Sequence, residues 1–387
     1  MTEKNYLFIS RKSSHYRYYE KLVHFLGNNA QLHALKQLCL PSLKYRPELN
    51  SIDLDDLVDV HMKRKEVRYP VLKKSKLINK LFRFCYTKIE KARANYYYNF
   101  LEQHPCTTVI LWNGMKQPNR TPYIVAKVLG KETMLFENGL LPNTTTLDPK
   151  GVNALNSVPR NKEFYLNWQG DVEQRQTQLV ARAPHKQRKK DINETKLPSR
   201  YVFVPFQVPN DTQIVCHSPW VPNMEAFYAT LEDSLEELKK IPSWQPFKFV
   251  IKEHPSWPRS FSELHNKHPD IIFANGNNTQ ELIEDSLAVI TINSTVGMES
   301  LLLGKNVITL GNAFFNIDGL VHHCKNVTEL TQTLKKIEEQ EVNHLLVDKF
   351  LSYLKSEYLL PQAWGNLSDE TAHFNAVKER LENPYTP

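Results

Sequence analysis

Hydrophobic positions along the chain follow two rhythms. Short, continuous apolar runs read as buried strands closed by turn residues. They are "NYLFIS" (5–10), "TTVILW" (107–112), "ETMLFENG" (132–139), "YVFVPFQ" (201–207), "FKFVIKEHP" (247–255), "DIIFANG" (270–276), "LAVITINS" (287–294) and "NVITLGN" (306–312). Between them the apolar positions take helical spacing. Tyr19, Leu22, Val23 and Leu26 do so early in the chain, and 118–129 and 222–240 read as amphipathic helices. A further helix opens at Thr295 and continues through Met298, Leu301, Leu302 and Leu303. "NTQELIEDS" reads as a short helix capped by Asn278 or Thr279.

Strand, helix, strand in alternation implies βαβ units and parallel sheets. The polar, proline-bounded stretch 183–198, "APHKQRKKDINETKLP", reads as a linker. It separates a first domain, 1–182, from a second, 199–360, with helices in 361–387 expected to pack back on the first. The expected fold is α/β, with two Rossmann-like domains facing a cleft, the architecture called GT-B.

Composition sharpens this picture in three places. At 387 residues, 41% hydrophobic, with 18 Phe and 17 Tyr, the chain can build two cores. Its mean hydropathy is −0.49, and no apolar run approaches the roughly 18 residues of a membrane span. The start "MTEKNYLFIS" lacks the pattern of a signal peptide, so a cytoplasmic protein is expected. Cys39, Cys85, Cys106, Cys216 and Cys324 are scattered, with no CxxC pair, which argues against a zinc site or a disulfide framework. No metal is expected.

The formal charge of +7 is concentrated. Between Met62 and Arg93 stand twelve Lys or Arg and two Glu, interleaved with Val71, Leu72, Leu77, Ile78, Leu81, Phe82 and Phe84. Such a segment suits an anionic membrane surface. It suits equally a solvated helix with one core-facing stripe. Nucleic acid is not expected, because no nucleic-acid motif accompanies the charge.

Ligands of doubly wound sheets bind at the carboxyl ends of strands, and four polar clusters fall there. "FENG" places Glu137 after a strand, and "QVPND" places Gln207 and Asp211 after another. Two carboxylates on opposite domains suit a retaining glycosyl transfer by double displacement; a turn Asp and a strand-end Glu are the plain alternatives. "KEHP" sets Lys252 and His254 on one side of a strand end, with Glu253 on the other. They could contact a phosphate or a sugar carboxylate. "NSTVG" (293–297) starts a helix, where Ser294 or Thr295 either caps the helix or helps to hold an anion. There is no Walker-A pattern and no GxGxxG, so nucleotide hydrolysis and dinucleotide redox chemistry lose support. "IDLDDL" (52–57) reads as a solvated acidic loop.

Four stretches together resemble the bacterial capsule polysaccharide synthesis family, within it the retaining β-Kdo transferases. They are "LFENGLLPNTTTLDPKGVNALNSVPR" (135–160), "VPFQVPNDTQI" (204–214), "FVIKEHP" (249–255) and "TINSTVGMESLLLGKNVITLGNAFFNIDGLV" (291–321). The resemblance implies transfer of Kdo, an acidic eight-carbon ketosugar, from CMP-β-Kdo to a glycan or glycolipid acceptor. It makes Asp211 the nucleophile, Glu137 the acid/base, and Lys252 and His254 part of the donor site. It sets Asn293, Ser294, Thr295 and Gly297 at the CMP phosphate, Gln207 beside them, and Gly311 with Gly319 and Leu320 in the wall of the donor pocket. No metal is implied: CMP-Kdo has a single phosphate, which cations and a helix start can neutralise. Peripheral association with the inner membrane and partnership with other capsule-synthesis enzymes are also implied. A different CMP- or UDP-sugar donor, a 2-epimerase of the same architecture, and a non-catalytic capsule-assembly binding protein remain as alternatives. Some family members carry two transferase copies, whereas a single module is present here, which leaves open one sugar or a repeating linker.

Overall fold

The structure is a computed structural model and describes residues 4–39, 47–175, 178–179 and 193–387. The chain divides into two compact units, Met1–Val158 with Tyr358–Pro387, and Pro159–Glu357. The first unit therefore ends before the boundary at 182 that the sequence suggests, and takes up the chain again at Tyr358. Of the expected linker, 183–192 lie outside the described residues. Residues 193–198 belong to the second unit: Thr195 N donates to Asn277 Oδ1 (2.9 Å), and Leu197 packs on that unit's core.

In the first unit, β1 (Tyr6–Ser10) lies between β2 (Ala30–Ala34) and β3 (Thr108–Trp112), both parallel to it, and β4 (Glu132–Asn138) runs parallel to β3. β1 and β3 are buried along their whole lengths, which is why they read as uninterrupted apolar runs. β5 (Thr144–Asp148) turns back antiparallel to β4. Gly139 makes that return possible. A Cβ there would sit 1.9 Å from Thr144 Oγ1 and 2.3 Å from the Thr144 backbone, so only glycine lets the two strands approach. Asp148 closes the hairpin. Its buried carboxylate accepts from Lys150 N, Gly151 N, Ser157 N and Oγ, and Tyr358 Oη.

The long helix Lys76–Gln103 buries only its later part, from Glu90 to Leu101, against the core. "IDLDDL" is a helix start, not the acidic loop expected. Asp53 caps the helix Leu54–Arg68 by accepting from Asp56 N (2.9 Å), and Asp55 and Asp56 stand in its first turn. Carboxylates are stabilised there by the helix dipole, and a count of charges could not show this.

The second unit is a wholly parallel six-stranded sheet. Its strands are β6 (Tyr201–Pro205), β7 (Lys248–Lys252), β8 (Ile271–Phe273), β9 (Val289–Thr291), β10 (Val307–Thr309) and β11 (His322–His323), in spatial order β8-β7-β6-β9-β10-β11. The order reverses between β6 and β9. That reversal opens a crevice beyond the carboxyl ends of those two strands, where doubly wound folds take ligands. Helices Met224–Lys239 and Thr279–Glu284 fall where their periodicity places them, and Asn278 caps the second by accepting from Gln280 N (2.8 Å).

The chain then re-enters the first unit. β12 (Leu360–Pro361) pairs antiparallel with β5, completing a sheet ordered β12-β5-β4-β3-β1-β2. The helix Glu370–Glu382 buries His373, Phe374, Val377 and Leu381, and His373 Nε2 hydrogen-bonds Tyr18 Oη (2.8 Å).

Candidate functional site

In the second unit a cavity of about 340 Å³ opens at the carboxyl ends of β6 and β7. Lys252, His254, Asn275, Thr279, Val296 and Glu299 are among the residues lining it. Three turns converge there because three successive strands end at one edge of the sheet.

Lys252 is the last residue of β7, and its Nζ donates to the Asn277 carbonyl. Burial holds its pKa below the ordinary lysine value. Its charge is therefore poorly solvated, and an anion would relieve that. Two residues on, His254 Nδ1 accepts from Ser256 N (3.2 Å), so the neutral ring carries its proton on Nε2. Glu253, between them, also lines the cavity, but its carboxylate is buried and engaged by the loop that follows. Its Oε1 accepts from Ser260 Oγ, Phe261 N and His265 Nε2, all within 3.0 Å, and so fixes the loop that carries His254.

Asp211 follows β6 and is exposed. Its Oδ1 accepts from Gln213 N (2.9 Å), capping the helix Thr212–His217. Gln207 and Asn293 meet at the topological reversal. Gln207 Nε2 donates to Asn293 Oδ1 (3.0 Å), and Gln207 Oε1 accepts from Asn293 N (3.1 Å). Asn293 Nδ2 donates in turn to the carbonyls of Gln213 (2.9 Å) and His217 (3.1 Å). The two amides thus tie β6 to β9 and hold the helix that Asp211 caps; both of their ends are engaged within the protein.

The corner Asn293–Gly297 has a local explanation. Ser294 Oγ accepts from Val296 N (3.1 Å), the first N–H of the helix Val296–Leu302, so the cap is real. Gly297 answers to packing: a Cβ would stand 2.8 Å from the Phe315 ring. Gly311 lets β10 pass β9 closely, since a Cβ would lie 2.7 Å from Ile292 Cγ2 and 2.9 Å from the His217 carbonyl. From this helix it is Val296 and Glu299 that line the cavity.

Glu137 belongs to the first unit, at the carboxyl end of β4. Its Oε2 accepts from Asn113 Nδ2, and its Oε1 from Asn138 N (3.0 Å). Asn113 is buried in left-handed backbone (φ 66°) directly after β3, a conformation Asn tolerates. An aromatic wall stands beside it. His15 stacks on Trp112 at 3.8 Å, and Trp364 lies 4.7 Å from Trp112 with its Nε1 donating to Asn138 Oδ1 (2.8 Å). Burial, helped by Lys116, lowers the His15 pKa to about 4, so this ring is neutral.

Sequence reasoning passed over Asn113, His15, Trp364 and Glu299. Of these only Asn113 and Glu299 carried a local signal, the first as a polar residue ending an apolar run, the second as the acid in a helix's first turn. Among the described residues, no three His, Cys, Asp or Glu side chains gather as a metal site would require.

The fold and the cavity put the chain among the doubly wound α/β proteins with two units. A family described as capsule polysaccharide biosynthesis protein matches residues 171–356. The chain is 34% identical over 333 residues to Protein FixF of Sinorhizobium fredii, covering 84% of this chain and 77% of that protein. It is 24% identical over 285 residues to the capsule polysaccharide export protein KpsS of Escherichia coli, covering 57% of this chain and 71% of that one. Among solved structures, Thermosulfurimonas dismutans KpsC, a beta Kdo 2,7 transferase, aligns with 97% of this chain and 100% of its own at 14% identity, TM-score 0.48. The chain belongs to the capsule polysaccharide biosynthesis family.

Proposed function

We propose that this chain is a glycosyltransferase of capsule or surface polysaccharide synthesis, moving Kdo from CMP-β-Kdo to a glycan or glycolipid acceptor with retention. The observation that carries the reading is the cavity at the carboxyl ends of β6 and β7, lined by Lys252, His254 and Glu299 among others. It is small and largely apolar, with Lys252 as its cation, which suits the base and the single phosphate of a nucleoside monophosphate. Family membership and the four strand-end motifs support the choice of donor.

In the first step the Asp211 carboxylate attacks the anomeric carbon and the bond to the CMP phosphate breaks, leaving a glycosyl ester. CMP departs with its electron pair, and its charge falls to Lys252 and the N–H groups opening the helix after Ser294 and Thr295. In the second step Glu137 takes the proton of an acceptor hydroxyl while that oxygen displaces Asp211. His254 orients the Kdo carboxylate through its Nε2–H, and Glu299 accepts from the ribose hydroxyls. Gln207 and Asn293 are positioning residues in this scheme.

Calorimetric titration of CMP, CDP, UMP and UDP, with and without magnesium, tests the donor. The expected result is metal-independent binding of CMP, at least about tenfold tighter than UMP. A preference for UDP, or no nucleotide binding, would overturn it. Asp211→Asn tests the chemistry. Asparagine caps a helix as well as aspartate does, so CMP binding should persist while transfer falls by about a thousandfold or more.

A further inference from the structure

The helix Lys76–Gln103 changes character along its length. From Glu90 onward its apolar face is buried in the first unit, down to Leu101 at 0% exposure. Before that point its inner side meets the helix Leu54–Arg68, where Phe82 and Tyr86 stand beside His61, and a separate apolar stripe faces outward. Leu77, Leu81 and Phe84, at i, i+4 and i+7, are 78%, 62% and 61% exposed. Ile78, on the same helix, and Tyr69 and Val71, beside and within the short helix Pro70–Lys74, extend the surface. Six of the eleven exposed large apolar side chains among the described residues thus lie between Tyr69 and Phe84. Isolated exposed leucines are ordinary; a cluster of this density marks a surface that something covers.

Charge says what covers it. From Tyr69 to Lys88 the sequence holds Lys73, Lys74, Lys76, Lys80, Arg83 and Lys88, and no carboxylate. Arg83 pairs with Asp59 on the helix Leu54–Arg68, and Lys88 lies over the Phe84 ring at 5.3 Å. Two copies of this chain meeting through the surface would set these cations against each other. Nucleic acid would match the charge but would leave Leu77 and Leu81 unused. An anionic bilayer answers both features, with acyl chains for the apolar crest and headgroups for the lysines around it.

We propose that the surface Tyr69–Lys88 docks the first unit onto a lipid bilayer rich in anionic headgroups. The helix lies in the interface and does not cross it; no helix among the described residues is long and apolar enough to span a membrane. Docking would hold the acceptor-side unit where a lipid-borne acceptor resides. The surface itself stands independently of the reading of the nucleotide cavity.

Vesicle flotation of the full chain tests this, using phosphatidylcholine alone and phosphatidylcholine with about a third phosphatidylglycerol, at low and high salt. Binding is expected to the anionic vesicles and to weaken at high salt. Leu77→Ser, Leu81→Ser and Phe84→Ser combined should weaken it by well over tenfold, since each buried apolar side chain is worth about that factor. These positions are exposed, so the thermal transition and the CMP titration should stay as in the parent chain. That separates failure here from failure of the transferase reading. A second variant, Lys73→Gln, Lys74→Gln, Lys76→Gln and Lys80→Gln, should lose the preference for anionic over neutral vesicles. Equal binding by parent and triple variant would overturn the proposal. So would no binding by the parent, or a parent dimer in sedimentation that the triple variant dissociates.

Discussion

Glu137 is held by two neighbours. Asn113 donates to one carboxylate oxygen and the Asn138 backbone N–H to the other. The Asn113 backbone is itself fixed, with its N donating to the Phe136 carbonyl at 2.7 Å and its Oδ1 accepting from Met115 N at 3.1 Å. Asn113→Gly keeps the left-handed backbone without strain and removes only the side chain. The expected outcome is a fall in turnover of about ten- to a hundredfold, from loss of orientation, with CMP affinity unchanged. Steady-state kinetics beside a CMP titration checks it; equal losses in both would mean a general structural effect. At this scale the candidate site was partly legible. Lys252 and His254, which line the cavity, stood out because strand ends are local features and their polar residues interrupt apolar runs. The work of Gln207 and Asn293 was hidden, since their mutual hydrogen bonds join residues 86 apart in the chain.

Among the elements, the helix Val296–Leu302 shows how packing selects a residue that its chemistry would not explain. Gly297 is helical and buried, where alanine would ordinarily favour the helix. The Phe315 ring, 1% exposed, leaves no room for a methyl group. Gly297→Ala is therefore expected to destabilise the protein by about 1–3 kcal/mol, read as a lower urea midpoint with an unchanged slope. A stabilised variant would mean that the ring yields. Elements were legible according to burial. β6, β7, β9 and β10, buried across their middles, announced themselves as apolar runs. β5 is Thr-rich and ends in Asp148, β11 is two histidines and β12 is Leu360–Pro361; each exists through its partner, and none has a period of its own.

For the whole molecule, burial sets the response to acid. His15 and His61 titrate near 4 and 3, and His33, His104, His322, His323 and His373 all lie below the ordinary 6.5, in each case chiefly through burial. These rings fold neutral. Between pH 6.5 and the folded values the unfolded chain binds more protons, so stability rises with pH across that window. It is fully present above 6.5 and is lost as pH falls toward about 4. Thermal unfolding at pH 7.5, 6.5, 5.5 and 4.5 should show a transition that holds between the first two and then falls steadily. A transition that rose on acidification would contradict the burial of these rings. Replacing His15 by Phe, which keeps a ring against Trp112, should flatten the acid limb in part.

Tyr358, whose hydroxyl donates to the buried Asp148, is where the chain comes back to its first unit. The consequence concerns order in time. Pro159–Glu357 is one uninterrupted stretch, and as it leaves the ribosome it has every strand of its sheet in hand. The earlier-made unit cannot finish until Leu360–Pro361 and Glu370–Glu382 arrive, so the part synthesised first is completed last. Chains truncated after Glu357 and released from the ribosome should hold a protease-resistant second unit beside a first unit that is still cleaved.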